Sequence, residues 1–294
     1  SVSGTVATFS GAGSTLFSNG FALDTLVLQN GSAQTNLASS ATSFSFEGGV
    51  LDLRAPLATD SFGLFDGELI GSGTLTVNVG GALAGGFLGD ASTLAIAPGA
   101  TLSVTGGVGL YGTHVLDNQG TLAFLDDSSV LELADDASIL NQATGTLDFQ
   151  AGGDLIDGID SVGTVLGSQL QNFGTIHKTG AGIDASVVGI TNVTMAPNSL
   201  VRVDAGELLF TSFTTLDGNV LVDTGTLTFT GGGESTDSTI TLNNGGVADF
   251  GTFTFTNPTI LGDETGTFIG DTGLLMIVDE ALTFTNTDIA TDGT

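Results

Sequence analysis

Basic residues are almost missing from this chain of 294 residues. Arg54, Lys178 and Arg202 are the full set, against 32 Asp and Glu, for a formal net charge of −29. The acids are an ordinary share of the chain; the bases are what is depleted. Such a surface repels phosphate backbones and anionic lipid headgroups, which argues against nucleic-acid binding, and it attracts divalent cations. Cysteine is absent, which excludes disulfides, thiolate metal sites and a cysteine nucleophile. A cysteine-free, base-poor, glycine-rich chain suits a bacterial surface or secreted protein that does not rely on disulfides. Tryptophan is absent too, and Tyr111 is the only tyrosine. No run of about 20 apolar residues occurs, so no membrane-spanning helix is expected. With neither an initiator Met nor a signal peptide at Ser1, the chain reads as a processed or excised portion of a secreted precursor.

What is present is repetition. The 46 glycines accompany only four prolines, and without a three-residue glycine period a collagen reading fails. A hydrophobic fraction of 40% argues against wholesale disorder. The phrase Gly-Thr-Leu-x-Phe recurs at Gly73-Thr74-Leu75-Thr76-Val77, Gly120-Thr121-Leu122-Ala123-Phe124, Gly145-Thr146-Leu147-Asp148-Phe149 and Gly225-Thr226-Leu227-Thr228-Phe229. Gly174-Thr175-Ile176-His177-Lys178 is a further copy, and Gly206-Glu207-Leu208-Leu209-Phe210 a looser one. A glycine turn followed by a short alternating strand, repeated end to end, is the pattern of stacked β-coils.

The spacing of these phrases gives about 20–25 residues per coil and about 12–14 coils, within the range of solenoid repeats. Alternation in Ser43-Phe44-Ser45-Phe46 and Thr252-Phe253-Thr254-Phe255 puts apolar side chains on one face and polar ones on the other. Asn30-Gly31, Asp66-Gly67 and Asp217-Gly218 punctuate the strands as turns. The expected fold is all-β: a single right-handed parallel β-helix over residues 1–294, with a less regular insertion around 150–170. Parallel stacking would arrange the 19 phenylalanines in internal ladders. Asn118, Asn141, Asn172 and Asn243 are either amide ladders or simply good turn formers.

Asn172-Phe-Gly-Thr-Ile-His-Lys-Thr-Gly-Ala-Gly182 resembles a phrase of bacterial β-helical surface proteins, N-x-G-T-I-x-K-T-G-x-G. Val201 to Phe210 and Gly225 to Gly233 are similar to the coils that follow it there. About a third of the chain carries the likeness well. The resemblance to autotransporter-like passengers and adhesins implies an extracellular parallel β-helix and no shared reaction.

Candidate sites are few. Polysaccharide lyases need a basic residue and cations against the uronate, and three scattered bases make no cationic groove. Glycoside hydrolysis needs two carboxylates ~5–10 Å apart, for which Asp126, Asp127, Asp135 and Asp136 are the candidates. The reading is therefore not an enzyme. His114 and His177 lack a second ligand at metal spacing and are expected at incidental surface or turn positions. Asp154, Asp157 and Asp160 surround a glycine turn and form a candidate calcium site, alongside the plainer reading of solvated acidic turns. No other cofactor is expected. Thr-x-Thr runs such as Thr226 to Thr228 raise ice binding, which needs regular threonine pairs on successive coils.

The functional expectation is an extracellular structural protein. Its strand-like ends, without capping helices, would stack end to end into a filament or surface fibre. The alternative is an adhesin or passenger stalk that binds a glycan or a host surface. Neither nucleic acid nor membrane insertion is expected.

Overall fold

The computed structural model describes residues 2–158, 167–181, 184–263 and 265–270, together with the backbone of 275–277, 283–285 and 288–291. Among the described residues every regular element is a strand. The strands are parallel and stack as a β-solenoid of about 13 turns. Through most of the chain each strand pairs with the third one after it, so a coil carries three strands. Three-residue to four-residue strands are typical, and along them buried and partly exposed positions alternate. That alternation follows from the two-residue side-chain period of an extended chain.

Coil length varies more than the repeat phrase implies. Leu26 pairs with Phe44, and Phe44 with Phe62, steps of 18 residues. Ile176 pairs with Val201 after 25 residues, and Leu147 with Ile176 after 29. The strand segments fix the register and the corners absorb the difference. In the shortest coils, Ser39–Leu53 and Leu57–Gly71 run 15 residues each and bend without breaking. The pairing between these two strands shifts register around Glu47 and Val50. Gly49 sits at this bend with φ 86°, and a Cβ there would lie 2.4 Å from the Gly31 carbonyl oxygen, so only glycine fits.

Other corners are β-turns closed by a bond from the fourth residue back to the first. Ala100 N–H donates to Ala97 O at 3.0 Å, and Ser199 N–H to Ala196 O at 3.0 Å. Both turns carry proline second, and both place a left-handed residue third: Gly99 at φ 80° and Asn198 at φ 68°. This is the type II pattern, in which proline presets one angle and glycine or asparagine tolerates the other. Asp135 and Asp136 are both left-handed, at φ 55° and 70°, in the turn closed by Ala137 N–H on Ala134 O.

The chain gathers into two compact units. The first comprises residues 1–123, 129–140 and 157–168, the second 124–128, 141–156 and 169–294. In the first, Leu69, Leu88, Leu110 and Leu133 pair in register as one inward column, all fully buried. In the second, the core is aromatic. Phe210 stacks on Phe229 at 4.8 Å, Phe229 on Phe250 at 5.1 Å and Phe250 on Phe268 at 5.1 Å, with rings within 24° of parallel. The phenylalanine ladders expected from the sequence are present for these rings, and stacking adds to the area that they bury, but Phe65, Phe87, Phe173 and Phe213 face outward and belong to no internal ladder. Of the irregular stretch around 150–170, Asp154–Asp157 and Gln169–Asn172 are strands, and residues 159–166 lie outside the described residues.

Candidate functional sites

All three basic side chains are engaged within the chain. Arg54 pairs with Asp52 at 2.7 Å. Arg202 Nε lies 2.7 Å from Asp204 Oδ1, and His177 Nε2 lies 2.9 Å from Asp204 Oδ2. Burial works against the Asp204 carboxylate, but the hydrogen bonds from Arg202 and His177 outweigh it and hold its pKa below the usual carboxylate range.

Lys178 is the unusual base. It is completely buried and pairs in register with Phe149 on one side and Val203 on the other. Its ammonium group donates to the Ala151 carbonyl at 2.7 Å, and the Ser186 hydroxyl donates to the same oxygen at 2.6 Å. Nearby, Gly152 N–H donates to Asp127 Oδ1 at 2.6 Å. Burial lowers the Lys178 pKa, and the charges of Asp127 and Asp148 only partly restore it. The sequence contained this signal: in Gly174-Thr175-Ile176-His177-Lys178 the lysine holds the inward fifth position that Phe149 and Phe229 hold in their copies.

The histidines differ from each other. His114 directly follows the Gly112-Thr113 turn, yet it is fully buried instead of taking the incidental surface or turn position expected for it. The Ser92 hydroxyl donates to the Gly89 carbonyl at 2.8 Å. It therefore accepts from His114 Nδ1, 2.8 Å away, which fixes the tautomer with the proton on Nδ1. Nε2 is buried without a partner among the described residues. Burial pushes the His114 pKa down to about 3, so the ring stays neutral. Flanking apolar residues, Leu110 and Leu116, gave no sequence sign that this turn folds inward.

The acidic candidates mostly serve the backbone. Asp126 Oδ1 accepts from Ser128 N–H at 3.0 Å and from its hydroxyl at 2.8 Å, a local turn. Asp127 holds Gly152 as described, and Asp135 and Asp136 form their left-handed turn. Asp154 accepts from Val187 N–H at 3.0 Å. Burial raises its pKa, with that bond opposing and Asp184 adding. Asp157 ends the same strand, and Asp160 lies outside the described residues. Among the described residues no three His, Asp or Glu side chains gather so as to hold a metal ion. The Thr226 and Thr228 pair has Glu207 and Leu209 as neighbours on one coil, Val247 and Asp249 on the next, whereas Thr239, Thr259 and Thr283 pair in register as a single column, with Leu261 between Thr241 and Thr285 in the accompanying one.

Asn141 and Asn172 do form an amide ladder. Both are fully buried, and Asn141 Nδ2 donates to Asn172 Oδ1 at 2.6 Å.

The first unit also carries an outward aromatic groove of about 390 Å³. Glu68, Phe87, Gly109 and Glu132 form one outward row, each pairing with the next across successive coils. Phe87 reaches over Gly109, where a Cβ would fall 2.7 Å from its ring, and Tyr111 reaches over Gly89, where a Cβ would fall 2.2 Å from its ring. The rings meet edge to face, 6.2 Å apart at 71°. Phe87 is 55% exposed. Varying coil lengths hide this row in the sequence.

Comparison of the chain with protein-family models, with curated proteins and with solved structures finds no match.

Proposed function

We propose that this protein is an extracellular structural subunit of the bacterial surface, a β-solenoid that stacks end to end into a filament. The observation that supports this reading is the coil formed by Val2–Phe9 and Ser14–Phe17. Val2–Phe9 pairs with Phe21–Leu28 on one edge, and its other edge has no partner strand among the described residues. Phe9 and Phe17 continue the core columns of Leu28 and Thr35, which are 2% and 1% exposed. Phe9 and Phe17 themselves are only half-buried, packed edge to face at 5.3 Å. An unpaired parallel edge backed by apolar rings is completed by a further coil, and the last coil of a second copy supplies one. Such a contact joins two different surfaces, so it does not close and propagates as a fibre. The scarcity of basic residues, all of them engaged, also removes most trypsin-like cleavage sites, which suits a fibre that persists outside the cell.

Electron microscopy and sedimentation across a range of protein concentrations test the reading. The expected result is fibres with a repeat of ~4.8 Å along their axis. They should be lost in the Phe9→Asp, Phe17→Asp double variant while its circular dichroism stays that of a β-protein. A wild-type chain that sediments as a single species at every concentration overturns it.

A further inference from the structure

We infer that the groove of Phe87 and Tyr111 is a binding site for an extended basic peptide segment, carrying arginine or lysine at two positions four residues apart. Its two carboxylates, Glu68 and Glu132, stand three coil steps apart in one outward row, about 14 Å at the usual strand spacing. On an extended peptide, side chains of one face recur every second residue, and positions i and i+4 lie ~13 Å apart. The two rings fill the space between the carboxylates, 6.2 Å apart and held against the neighbouring coils' glycines. An arginine stem lies along an aromatic ring while its planar head takes a carboxylate through two parallel hydrogen bonds.

The groove's polar groups are available for this. Glu68, Glu132 and the Tyr111 hydroxyl make no hydrogen bond to any described residue. Charge selects the ligand. The only base in this unit is Arg54, already tied to Asp52 at 2.7 Å, and the chain carries −29. That field draws a cationic partner and repels phosphate, sulfate and uronate groups. A neutral sugar gains nothing from it.

Tyr111 is the only tyrosine, and the chain has no tryptophan, so tyrosine emission reports on this groove alone. The probe is the blocked pentapeptide Arg-Gly-Ser-Gly-Arg, titrated at low salt. Saturable change in emission is expected, weakened by added salt and absent with Glu-Gly-Ser-Gly-Glu. Glu68→Gln and Glu132→Gln should each weaken binding by about fivefold, the scale of a partly exposed charge pair. Neither substitution should lower the melting temperature, since neither carboxylate has a hydrogen-bond partner among the described residues. Glu234→Gln, an exposed carboxylate of the second unit, should leave binding unchanged. Absence of saturable binding overturns the inference. So does equal weakening by Glu234→Gln, which would mean attraction to overall charge. Binding of a neutral glucan tetrasaccharide that survives loss of both Glu68 and Glu132 overturns it in favour of a sugar groove.

Discussion

Lys178 pairs in register with Phe149, which itself stacks on Phe124 at 4.5 Å with rings 9° from parallel. An aromatic column of the second unit thus continues as a lysine stem, and the ammonium end leaves the core only to reach the Ala151 carbonyl.

Replacing Lys178 by methionine keeps the stem and removes the buried charge. Ala151 O retains the Ser186 hydroxyl as its donor. Lys178→Met is expected to stabilise the protein by about 1–3 kcal/mol, as apolar replacements of buried charges often do. It should also remove a pH dependence. The folded pKa lies below the unfolded value of 10.5, so the folded state binds fewer protons and wild-type stability rises as pH climbs through the folded pKa towards 10.5. Melting curves between pH 7 and 10.5 decide the matter; a methionine variant that melts lower, with the wild-type slope, refutes this account.

The repeat phrase made most of this architecture legible. Glycine at a corner, then an inward Leu and an inward fifth residue, is what Leu147 and Phe149 show. The same rule, carried to the fifth position of Gly174-Thr175-Ile176-His177-Lys178, gives the inward side that Lys178 takes, against the habit of assigning lysine to solvent. The rule fails where coils change length. Glu68, Phe87 and Glu132 belong to one row only because the steps between them differ, and pairing, not spacing, sets those steps. Burial of His114 was equally hidden, because a turn's direction is decided by the coils around it and not by its own residues.

The Asn141–Asn172 ladder should behave as one unit. Asn141 Nδ2 also lies 3.1 Å from Thr175 O and 3.3 Å from Gly145 O, and Asn172 Nδ2 lies 3.3 Å from Gly174 O. Asn172→Leu removes the shortest of the three acceptors around Asn141 Nδ2 and is expected to cost about 0.5–1.5 kcal/mol, the net worth of one such bond. The Asn141→Leu, Asn172→Leu pair should cost less than the sum of the single changes, with a coupling of about 0.5–2 kcal/mol. Additive losses in urea denaturation would show that the two amides act separately.

His114 should sensitise the fold to acid. Its folded pKa is about 3, while the unfolded ring titrates near 6.5. Below pH 6.5 the unfolded state takes up a proton that the folded state refuses. This contribution to stability is fully present above 6.5 and is lost as pH falls towards 3. Between pH 6.5 and 4 it amounts to about 3 kcal/mol, at 1.36 kcal/mol per pH unit. His114→Leu removes the proton site, while Ser92 keeps its bond to Gly89 O. The stability gap between wild type and variant should therefore narrow or reverse by that amount across this interval, and parallel pH profiles would contradict it.

Gly89 provides a test of the groove that needs no ligand. The three atoms nearest to a Cβ at this position all belong to the Tyr111 ring, at 2.2–2.7 Å. The Gly89→Ala methyl must therefore displace the ring. Leu88 and Leu110 stay buried beneath, so the change in stability is expected to stay within about 1 kcal/mol. Tyr111, swung off its shelf and away from Phe87, should become more accessible to acrylamide quenching and shift its emission. Gly109→Ala acts on Phe87 instead, 2.7 Å from its ring, and should move Tyr111 emission less. Equal quenching of wild type and Gly89→Ala, with melting unchanged, would mean that the ring does not lie on Gly89.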